Sequence, residues 1–396
     1  MRRGLGLSLS LGLAVTPAAC SASSAANEDR QAAPDATVAI QPADRAANVP
    51  TDQGVVVAVL GGTLRSVTVR SEDGTLAGVL STDKTRWRST ATARPGARYT
   101  VSSIAVNADG KQTEKTSTFS TVKAAKAFDV QSITPSKGTT GLTVGVGMPI
   151  MIAFDQPITD RVSVERNLLV RTSRPVEGAW HWFDDQHVDF RPRQYWPAHT
   201  DVRVEANLAG VHGGKGMYGK RDLALDFRVG RSQITKGSVN EHVLVVRRNG
   251  KKIREMPMSA GQGGVMKYHT TSGIHLAMSR EPVTVMTSPG IGPGQAGYYQ
   301  MTVYNTVRIS NSGEYVHSAP WSVGSQGNSN VSHGCVNISP ANAAWFIENT
   351  LIGDPIVITG SPRPLEPTNG WGHWQENWKQ WLKWSSIKDG PTLPFS

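Results

Sequence analysis

The chain has little cysteine: Cys20 and Cys335 are its only two in 396 residues. Long runs of Leu, Ala, Glu and Lys are also absent, and only 18% of the residues are charged. Because Cys20 ends a predicted export signal, Cys335 has no disulfide partner in the mature chain. The missing runs argue against a helical protein. Frequent Val and Thr, with 40 Gly and 23 Pro, favour short β-strands joined by turns.

Residues 1–20 have the pattern of an export signal. Two arginines follow Met1, a short apolar run rich in Leu and Gly comes next, and small residues precede Cys20. The run is too short to span a bilayer. Ala19-Cys20 resembles a lipobox, which would place a lipid on Cys20 and anchor the protein to a membrane. Pro17 stands where lipoboxes usually carry Leu, so simple secretion is the alternative.

The chain is basic, with a formal net charge of +10. Such a surface suits nucleic acid, anionic lipid or an acidic polymer. The sequence has no nucleic-acid motif, and its Lys and Arg are scattered rather than clustered. We therefore expect no nucleic-acid partner.

Two similar β-rich segments follow a small, polar linker at residues 21–35. The predicted domain A spans 36–122, with strands near 55–59, 64–69, 99–106 and 117–121. The predicted domain B spans 125–230, with strands near 150–154, 164–170, 179–190 and 223–229. A weak repeat relates 95–101 to 197–204 and Phe119 to Phe227. The pattern indicates two immunoglobulin-like β-sandwiches in tandem.

A further domain is predicted over residues 231–361. It opens with a hairpin at 243–252 that turns at Asn249-Gly250. Residues 339–349 form the strongest predicted helix, with Ser339 as its cap and Pro340 in its first turn.

The stretch from His317 to Asn337 carries residues suited to catalysis. Cys335 follows His333 and Gly334 directly, and His317 lies eighteen residues upstream. A thiol nucleophile needs a nearby base and backbone N–H donors for the developing oxyanion. One Cys, two His and a Gly could supply these parts. The stretch therefore predicts nucleophilic catalysis.

The spacing carries a family resemblance: His317, fourteen residues, Ser332-His333-Gly334-Cys335, an apolar Val336 and Asn337. It resembles the signature of the L,D-transpeptidases, which have a YkuD-type catalytic domain. The flanking residues 315–321 and 338–343 are similar to the mycobacterial and actinobacterial branch. The resemblance implies a mainly β protein, in which the two immunoglobulin-like sandwiches precede a YkuD-type β-sandwich catalytic domain with one short helix.

The resemblance implies two-step acyl transfer. Cys335 would attack a peptide carbonyl and leave a thioester, which a second amine then attacks. His317 would be the base, oriented by the backbone carbonyl of Ser318. The N–H groups of Gly334 and Cys335 are the expected oxyanion donors. No cofactor or metal is expected.

Three more residues flank the predicted nucleophile. On an extended strand His333 and Cys335 would share a face, and we assign His333 a supporting role. Asn337 would lie on the same face and bind substrate or fix the backbone of the site, and Ser332 could do either.

Further substrate-binding positions are implied by the resemblance: Trp321 as a pocket residue, Tyr299 as a flap residue, and Ser312 with Gly313 in the donor channel. The flap itself, about 281–301, departs most from the family pattern, which leaves acceptor specificity open. His269 and His275 precede the flap. Since no suitably spaced ligands accompany them, we interpret them as structural or surface residues, like the other histidines outside the signature.

The tail at 362–396 is rich in tryptophan and predicts a helix. Its tryptophans recur every three or four residues, on one helical face: Trp371, Trp374, Trp378, Trp381 and Trp384. A carbohydrate or membrane platform is one interpretation. We favour the other, a short helix packed on its own protein, because such stripes are usually buried.

Three functional hypotheses follow. The first is an exported, wall-facing L,D-transpeptidase that links the third-position diamino acids of two peptidoglycan stem peptides and is acylated by carbapenems at Cys335. The second keeps this nucleophile with water or a protein amine as acceptor, giving an L,D-carboxypeptidase or a protein-attachment enzyme. The third is a non-enzymatic wall-binding module, in which Cys335 would be buried and inert.

Overall fold

The computed structural model describes residues 32–138, 141–288, 291–296, 298–388 and 390–395. The predicted export signal, Cys20 and most of the 21–35 linker lie outside these residues. Within them, no helix is long and apolar enough to cross a bilayer.

The first sandwich occupies the N-terminal part of the described chain. Its strands are β1 (Thr37–Gln41), β2 (Ala46–Val49), β3 (Val56–Leu60), β4 (Thr63–Ser71), β5 (Gly74–Thr75), β6 (Gly78–Leu80), β7 (Arg86–Ser89), β8 (Arg98–Val106) and β9 (Gln112–Thr121). They form sheets in the orders β1-β3-β7-β6 and β2-β9-β8-β4-β5. Alternating burial along β8 leaves Tyr99, Val101 and Ala105 in the core between the sheets.

The second sandwich repeats this plan. Its elements are β10 (Lys126–Phe128), β11 (Val130–Thr134), β12 (Thr143–Val144), β13 (Ile150–Phe154), α1 (Arg161–Glu165), β14 (Leu168–Thr172), β15 (Glu177–Trp182), β16 (His187–Pro192), β17 (Asp201–Ala206), β18 (His212–Gly214), β19 (Met217–Gly219) and β20 (Leu223–Val229). The larger sheets contain β11-β13-β16-β15 and β12-β20-β17-β14, beside a small β10-β19-β18 sheet. In the predicted repeat, Tyr99 pairs with Phe119 across β8 and β9, and Val202 pairs with Phe227 across β17 and β20.

Two predicted strands of the second sandwich were wrong in detail. The segment 164–170 begins as the short helix α1, because the Asp160 carboxylate accepts the Ser163 N–H at 3.2 Å and caps it. The segment 179–190 is a hairpin of β15 and β16. It turns where the Asp184 carboxylate accepts the N–H groups of Gln186 and His187 at 2.7 and 2.8 Å.

The catalytic sheet follows. Its elements are β21 (Gln233–Ser238), β22 (Val243–Arg248), β23 (Lys251–Ser259), β24 (Gly273–Leu276), β25 (Ser279–Thr287), β26 (Gln300–Arg308), β27 (Tyr315–Ser318), β28 (Val336–Ile338), α2 (Pro340–Asn349) and β29 (Pro355–Thr359). The strand order is β24-β29-β21-β22-β23-β28-β27-β26-β25. The predicted hairpin is confirmed: β22 pairs with β23, and Asn249 and Gly250 both have positive φ.

The predicted helix is α2. The Ser339 hydroxyl accepts the Asn342 N–H at 3.3 Å, and Pro340 occupies the first turn. Its buried Ala343 and Phe346 join a core that includes Val316 and Val336. Burial of a side chain as large as Phe contributes about 1.5–3 kcal/mol. This core fixes β27 and β28 side by side.

The tail closes on the body of the protein. It contains α3 (Trp378–Trp381), β30 (Gly390–Pro391) and β31 (Leu393–Pro394). β30 extends the second sandwich beside β15, and β31 extends it beside β14. The Gln375 side chain instead donates to the carbonyl of Ile274 in the catalytic sheet, at 2.7 Å. The tail therefore connects these two parts of the molecule.

The tail helix is shorter than the tryptophan spacing predicted. α3 starts at a capping box formed by Asn377 and Gln380, and Trp371 and Trp374 lie before it. The five tryptophans thus do not share one helical face. Trp381 is fully buried, whereas Trp384 is 57% exposed.

Candidate active site

Cys335 ends a short loop that leads into β28. The Ser332 hydroxyl closes this loop, because its Oγ accepts the Gly334 N–H at 3.1 Å and donates to the Cys335 carbonyl at 2.6 Å. Gly334 has φ +126°, a left-handed value that favours glycine. A Cβ at Gly334 would have its nearest neighbour at 3.8 Å, so the requirement for glycine is conformational rather than steric.

The loop is not the extended strand that we expected. The chain bends from His333 to Cys335, and β28 starts only at Val336, so the alternation that placed His333 and Cys335 on one face does not apply. The Gly334 N–H, expected as an oxyanion donor, is bound by Ser332 in this structure. The Cys335 N–H is the remaining expected donor.

His317 is brought to the site by strand pairing. β27 and β28 run parallel, with Val316 opposite Val336 and His317 opposite Asn337. The residue eighteen positions upstream thereby lies beside the strand that follows Cys335. The sequence separation is bridged by β-structure, not by local turns.

The His317 ring is held in one tautomer. It is buried, and its Nδ1 lies 2.9 Å from the carbonyl oxygen of Ser318. A carbonyl only accepts, so Nδ1 carries the proton and Nε2 is the basic nitrogen. Burial lowers the pKa of His317, and hydrogen bonds to Ser318 and Asn337 act in the opposite direction. The ring is therefore neutral at pH 7.

The Cys335 thiol is half-buried and donates to the carbonyl of Gly313, with Sγ 3.7 Å from the oxygen. Burial raises the pKa of the Cys335 thiol to about 12, a hydrogen bond with the Tyr315 backbone lowers it, and the nearby Glu314 charge raises it further. At neutral pH both Cys335 and His317 are uncharged. The thiolate thus forms only when the proton leaves during reaction, and not at rest.

Two cavities meet at Cys335. The apolar cavity, of about 330 Å³, is lined by His317, Trp321 and side chains such as Val303. The cationic cavity, of about 280 Å³, is lined by Lys267 and Arg363. Four residues line both cavities: Met286, Tyr299, His333 and Cys335. Two separate groups can therefore approach the same sulfur from different sides.

Tyr299 and His333 lie at the meeting point of the cavities. Their ring centroids are 5.5 Å apart, and the His333 ring is also 4.8 Å from Tyr268 in an edge arrangement. Burial raises the pKa of the Tyr299 hydroxyl, and Cys335 adds to the shift. The Tyr299 N–H donates to Ser288 at 2.6 Å, which ties this part of the flap to the end of β25.

Trp321 and Asn337 both line the apolar cavity. The Trp321 ring is 53% exposed and its centroid is 6.0 Å from that of His317, so it forms an open wall. Asn337 is buried and donates to the Ser322 hydroxyl at 3.1 Å. Its hydrogen bonds with Ser322 and His317 hold Asn337 and His317 in position at the wall of the apolar cavity.

Ser312 and Gly313 line the cationic cavity from the loop between β26 and β27. The Ser312 N–H donates to Asn369 Oδ1 at 2.8 Å, and Asn369 Nδ2 donates to the Ser312 hydroxyl at 3.0 Å. Asn369 belongs to the tail. The tail therefore holds part of the active-site wall in place.

Sequence reasoning missed several residues of the site: Lys267, Met286, Glu314 and Arg363. Lys267 and Arg363 are 96 positions apart and meet only through the fold. The sequence offered two weaker signals: Met286 lies within the predicted flap, about 281–301, and Glu314 directly precedes the β27 strand that carries His317.

His275 is structural. It is fully buried, and its Nε2 lies 2.7 Å from the Thr271 hydroxyl, which also contacts Glu314. His269 is half-buried beside Gly263. In the described ranges, no three or more His, Cys, Asp or Glu side chains gather in an arrangement that could hold a metal ion.

Comparison with known proteins matches two family models to the chain. Residues 46–212 match the family model of a bacterial Ig domain, across both sandwiches, and residues 235–358 match that of the L,D-transpeptidase catalytic domain. The solved structure of LD transpeptidase LdtMt1 in complex with imipenem is 39% identical with a TM-score of 0.50, covering 58% of this chain and 99% of that one.

Two relatives from Mycobacterium tuberculosis match most of the chain. L,D-transpeptidase 5 is 35% identical over 373 residues, which cover 92% of this chain and 80% of that protein. L,D-transpeptidase 2 is 36% identical over 342 residues, which cover 85% of this chain and 82% of that protein. The chain therefore belongs to the L,D-transpeptidases, a family of enzymes.

Proposed function

We propose that this enzyme joins the third-position diamino acids of neighbouring peptidoglycan stems through a thioester on Cys335. The observation that supports this most is the position of Cys335 where two cavities meet, with the neutral His317 lining one of them. A donor stem and an acceptor amine then each have a route to the same sulfur. Transfer between two large substrates requires this geometry.

The reaction proceeds in two balanced steps. Cys335 attacks the carbonyl between the diamino acid and the terminal D-alanine while its proton passes to Nε2 of His317. The C–N bond breaks, His317 returns the proton to the D-alanine amine, and a thioester remains. The side-chain amine of a second stem attacks the thioester and loses a proton to His317. The C–S bond breaks, and His317 returns that proton to the sulfur, which restores the Cys335 thiol. The Cys335 N–H is the donor for the oxyanion in both steps.

The same chemistry makes the enzyme a target for carbapenems. The similar LdtMt1 was solved in complex with imipenem. We expect Cys335 to open the β-lactam ring by attack on its carbonyl, with His317 again as base.

We also propose that the protein is exported and acts in the cell envelope, with a lipid on Cys20. The support is the sequence of residues 1–20 alone. Intact mass of the membrane-extracted protein tests it: a diacylglyceryl mass that Cys20→Ala removes is expected, and an unmodified N-terminus at another residue would indicate simple secretion.

Intact mass also tests the reaction. The mature chain is incubated with a synthetic tetrapeptide stem, first alone and then with an acceptor stem. We expect an adduct equal to the stem without D-alanine, which the acceptor converts to a cross-linked dimer. Cys335→Ala should remove the adduct. Cys335→Ser keeps a side chain of similar size but replaces the thiol, so it shows whether the thiol itself, rather than the packing of the side chain, is required.

Other products would contradict the proposal. Free tripeptide with no dimer in the presence of acceptor would indicate a carboxypeptidase. A thioester released only by a protein amine would indicate an attachment enzyme. A folded protein that gives no adduct with stem or imipenem would support the non-enzymatic wall-binding module.

A further inference from the structure

The cationic cavity has two positive side chains at its wall, from distant parts of the chain. Lys267 lies on the loop before β24, and Arg363 lies at the start of the tail. Arg363 Nη1 lies 3.3 Å from the carbonyl oxygen of Lys267 and 3.5 Å from that of His269. These contacts hold the half-buried Arg363 against the backbone of residues 267–269, and the Lys267 side chain is exposed.

Neither cation has a contacting counter-ion in the described part of the chain. No carboxylate there lies within 4.0 Å of the Lys267 ammonium or the Arg363 guanidinium. Glu366, three residues after Arg363, accepts from Asn369 Nδ2 at 3.0 Å, and the Arg363 charge is only the smallest of the causes that lower the pKa of Glu366. The Lys267 ammonium lies 5.0 Å from the centroid of the Tyr268 ring, a cation–π contact that brings no negative charge. Both cations are therefore available to an external anion in the cavity that reaches Cys335.

Glu314 does not neutralise this pair. It also lines the cavity, but it is only 3% exposed. Its Oε1 accepts the Thr271 N–H at 2.6 Å, and its Oε2 accepts the Thr271 hydroxyl at 2.7 Å. Both carboxylate oxygens of Glu314 are thus occupied by Thr271. The cavity wall therefore carries two positive side chains, Lys267 and Arg363, and only one negative side chain, which is buried.

Two positive side chains on the wall of one cavity attract an anion that enters it. The guanidinium fork matches a carboxylate in particular. We propose that Lys267 and Arg363 bind a carboxylate of the stem peptide and so select stems that carry it. This proposal depends on the proposed function, because the cavity reaches Cys335 and must hold one of the two stems.

The carboxylate has two sources in a tetrapeptide stem: the terminal D-alanine and the side-chain end of the diamino acid. The test uses the full mature chain and three synthetic stems. The first stem has both carboxylates free, the second has a carboxamide at the terminal D-alanine, and the third has a carboxamide at the side-chain end of the diamino acid. Any further carboxyl group is blocked as a carboxamide in all three stems. The measured quantity is kcat/KM for D-alanine release.

We expect Arg363→Ala and Lys267→Ala each to lower kcat/KM for the free stem by about tenfold, mainly through KM. With one of the two carboxamide stems the loss should disappear, which identifies the bound group. Arg363→Lys should retain part of the activity, and the wild-type rate on the free stem should fall with added salt.

Two matched control variants test whether the loss is specific to the cationic cavity. Arg280→Ala is matched to Arg363, since its guanidinium also donates to a backbone carbonyl, and Lys251→Ala is a matched exposed lysine away from the cavity. Neither should change kcat/KM. The alkylation rate of Cys335 by neutral iodoacetamide checks that the thiol is unaltered in each variant.

Two outcomes separate the failures. Suppose that wild-type protein turns over the stems, but that the Arg363 and Lys267 variants lower kcat/KM equally on free and carboxamide stems, or do not lower it at all. The carboxylate site is then refuted, and the transpeptidase proposal stands. If the wild type turns over no stem, the proposed function itself has failed.

Discussion

Two buried histidines of this protein are nearly alike and do different things. His317 Nδ1 lies 2.9 Å from the carbonyl oxygen of Ser318, and His181 Nδ1 lies 3.0 Å from that of Trp381. Both rings are buried, and burial lowers the pKa of each. His181, however, is stacked on the Trp381 ring at 4.3 Å, whereas His317 lines the cavity that reaches Cys335.

The comparison shows that a neutral, oriented imidazole is not a sign of catalysis by itself. Around His181, the Trp381 indole and Arg191 fill the space, with the guanidinium 4.7 Å above that ring. Around His317, one side of the ring is open to substrate. Access to substrate and a partner nucleophile distinguish the base from the structural histidine, whose Nδ1 also lies 3.8 Å from the Glu376 carboxylate.

The sharpest way to separate the two is a matched substitution. His317→Gln should lower the rate of Cys335 acylation by about 10²–10⁴-fold, because the general base is lost, with little change in thermal stability. His181→Gln should leave the acylation rate within twofold. Stopped-flow acylation by imipenem measures both. Comparable losses in the two variants would refute the division of roles.

Two tryptophans of the tail provide the next comparison: Trp381, which packs with His181 and Arg191, and the exposed Trp384. Trp381→Ala removes a fully buried ring, whose indole N–H donates to the Ala179 carbonyl at 3.0 Å, and should lower the free energy of unfolding by about 3–5 kcal/mol. Trp384→Ala, three residues on and 57% exposed, should change it by about 0.5 kcal/mol or less. Urea unfolding measures both, and equal losses would contradict the packing.

His181 itself should matter for stability. His181→Gln leaves the Trp381 carbonyl with a less well placed donor and should lower the free energy of unfolding by about 1–3 kcal/mol. His187→Gln is the control, since that ring is exposed. If His181→Gln has the same free energy of unfolding as wild type while Trp381→Ala does not, the His181 ring contributes little to the packing around Trp381.

The smallest expected effect is the response of acylation to pH above neutrality. The pKa of His317 is lowered, so the neutral ring is available as base at pH 7. It is lost only as the pH falls through the lowered pKa of His317. The thiol pKa of about 12 predicts no gain near pH 8–9. A profile of kcat/KM should therefore fall on the acid side and stay flat from pH 7 to 9. A tenfold rise over that range would show a resting thiol of ordinary pKa.

The parts of the fold that local chemistry determines were predictable from sequence. The Asn249-Gly250 hairpin and the Ser339-capped helix follow from turn and cap residues, and both are confirmed. The extended strand expected to carry His333, Cys335 and Asn337 was wrong before Val336, because hydrogen bonds of the Ser332 hydroxyl and a positive φ at Gly334 bend the chain there. Neither contact leaves a periodic trace in sequence.

The site was predictable only in part, for a similar reason. His317 and Cys335 occur in one spaced pattern, whereas Lys267 and Arg363 lie in irregular loops that only the folded chain brings together. The tryptophan spacing of the tail predicted a short helix with all five tryptophans on one face, but the helix starts only after the capping box at Asn377. Long-range packing, which propensity does not encode, brings Lys267 and Arg363 together, whereas a local cap that the tryptophan spacing does not reveal sets the start of the tail helix.

The tail has a consequence for the order in which activity arises during synthesis. Arg363 and Asn369 line or brace the active-site wall, yet they leave the ribosome after every strand of the catalytic sheet. A nascent chain could therefore pair β27 with β28 and place His317 near Cys335 while its substrate-facing wall was still incomplete. The assembled pocket forms only once the segment that carries Arg363 and Asn369 has folded back, so Cys335 would not meet its full binding site until that segment had been synthesised.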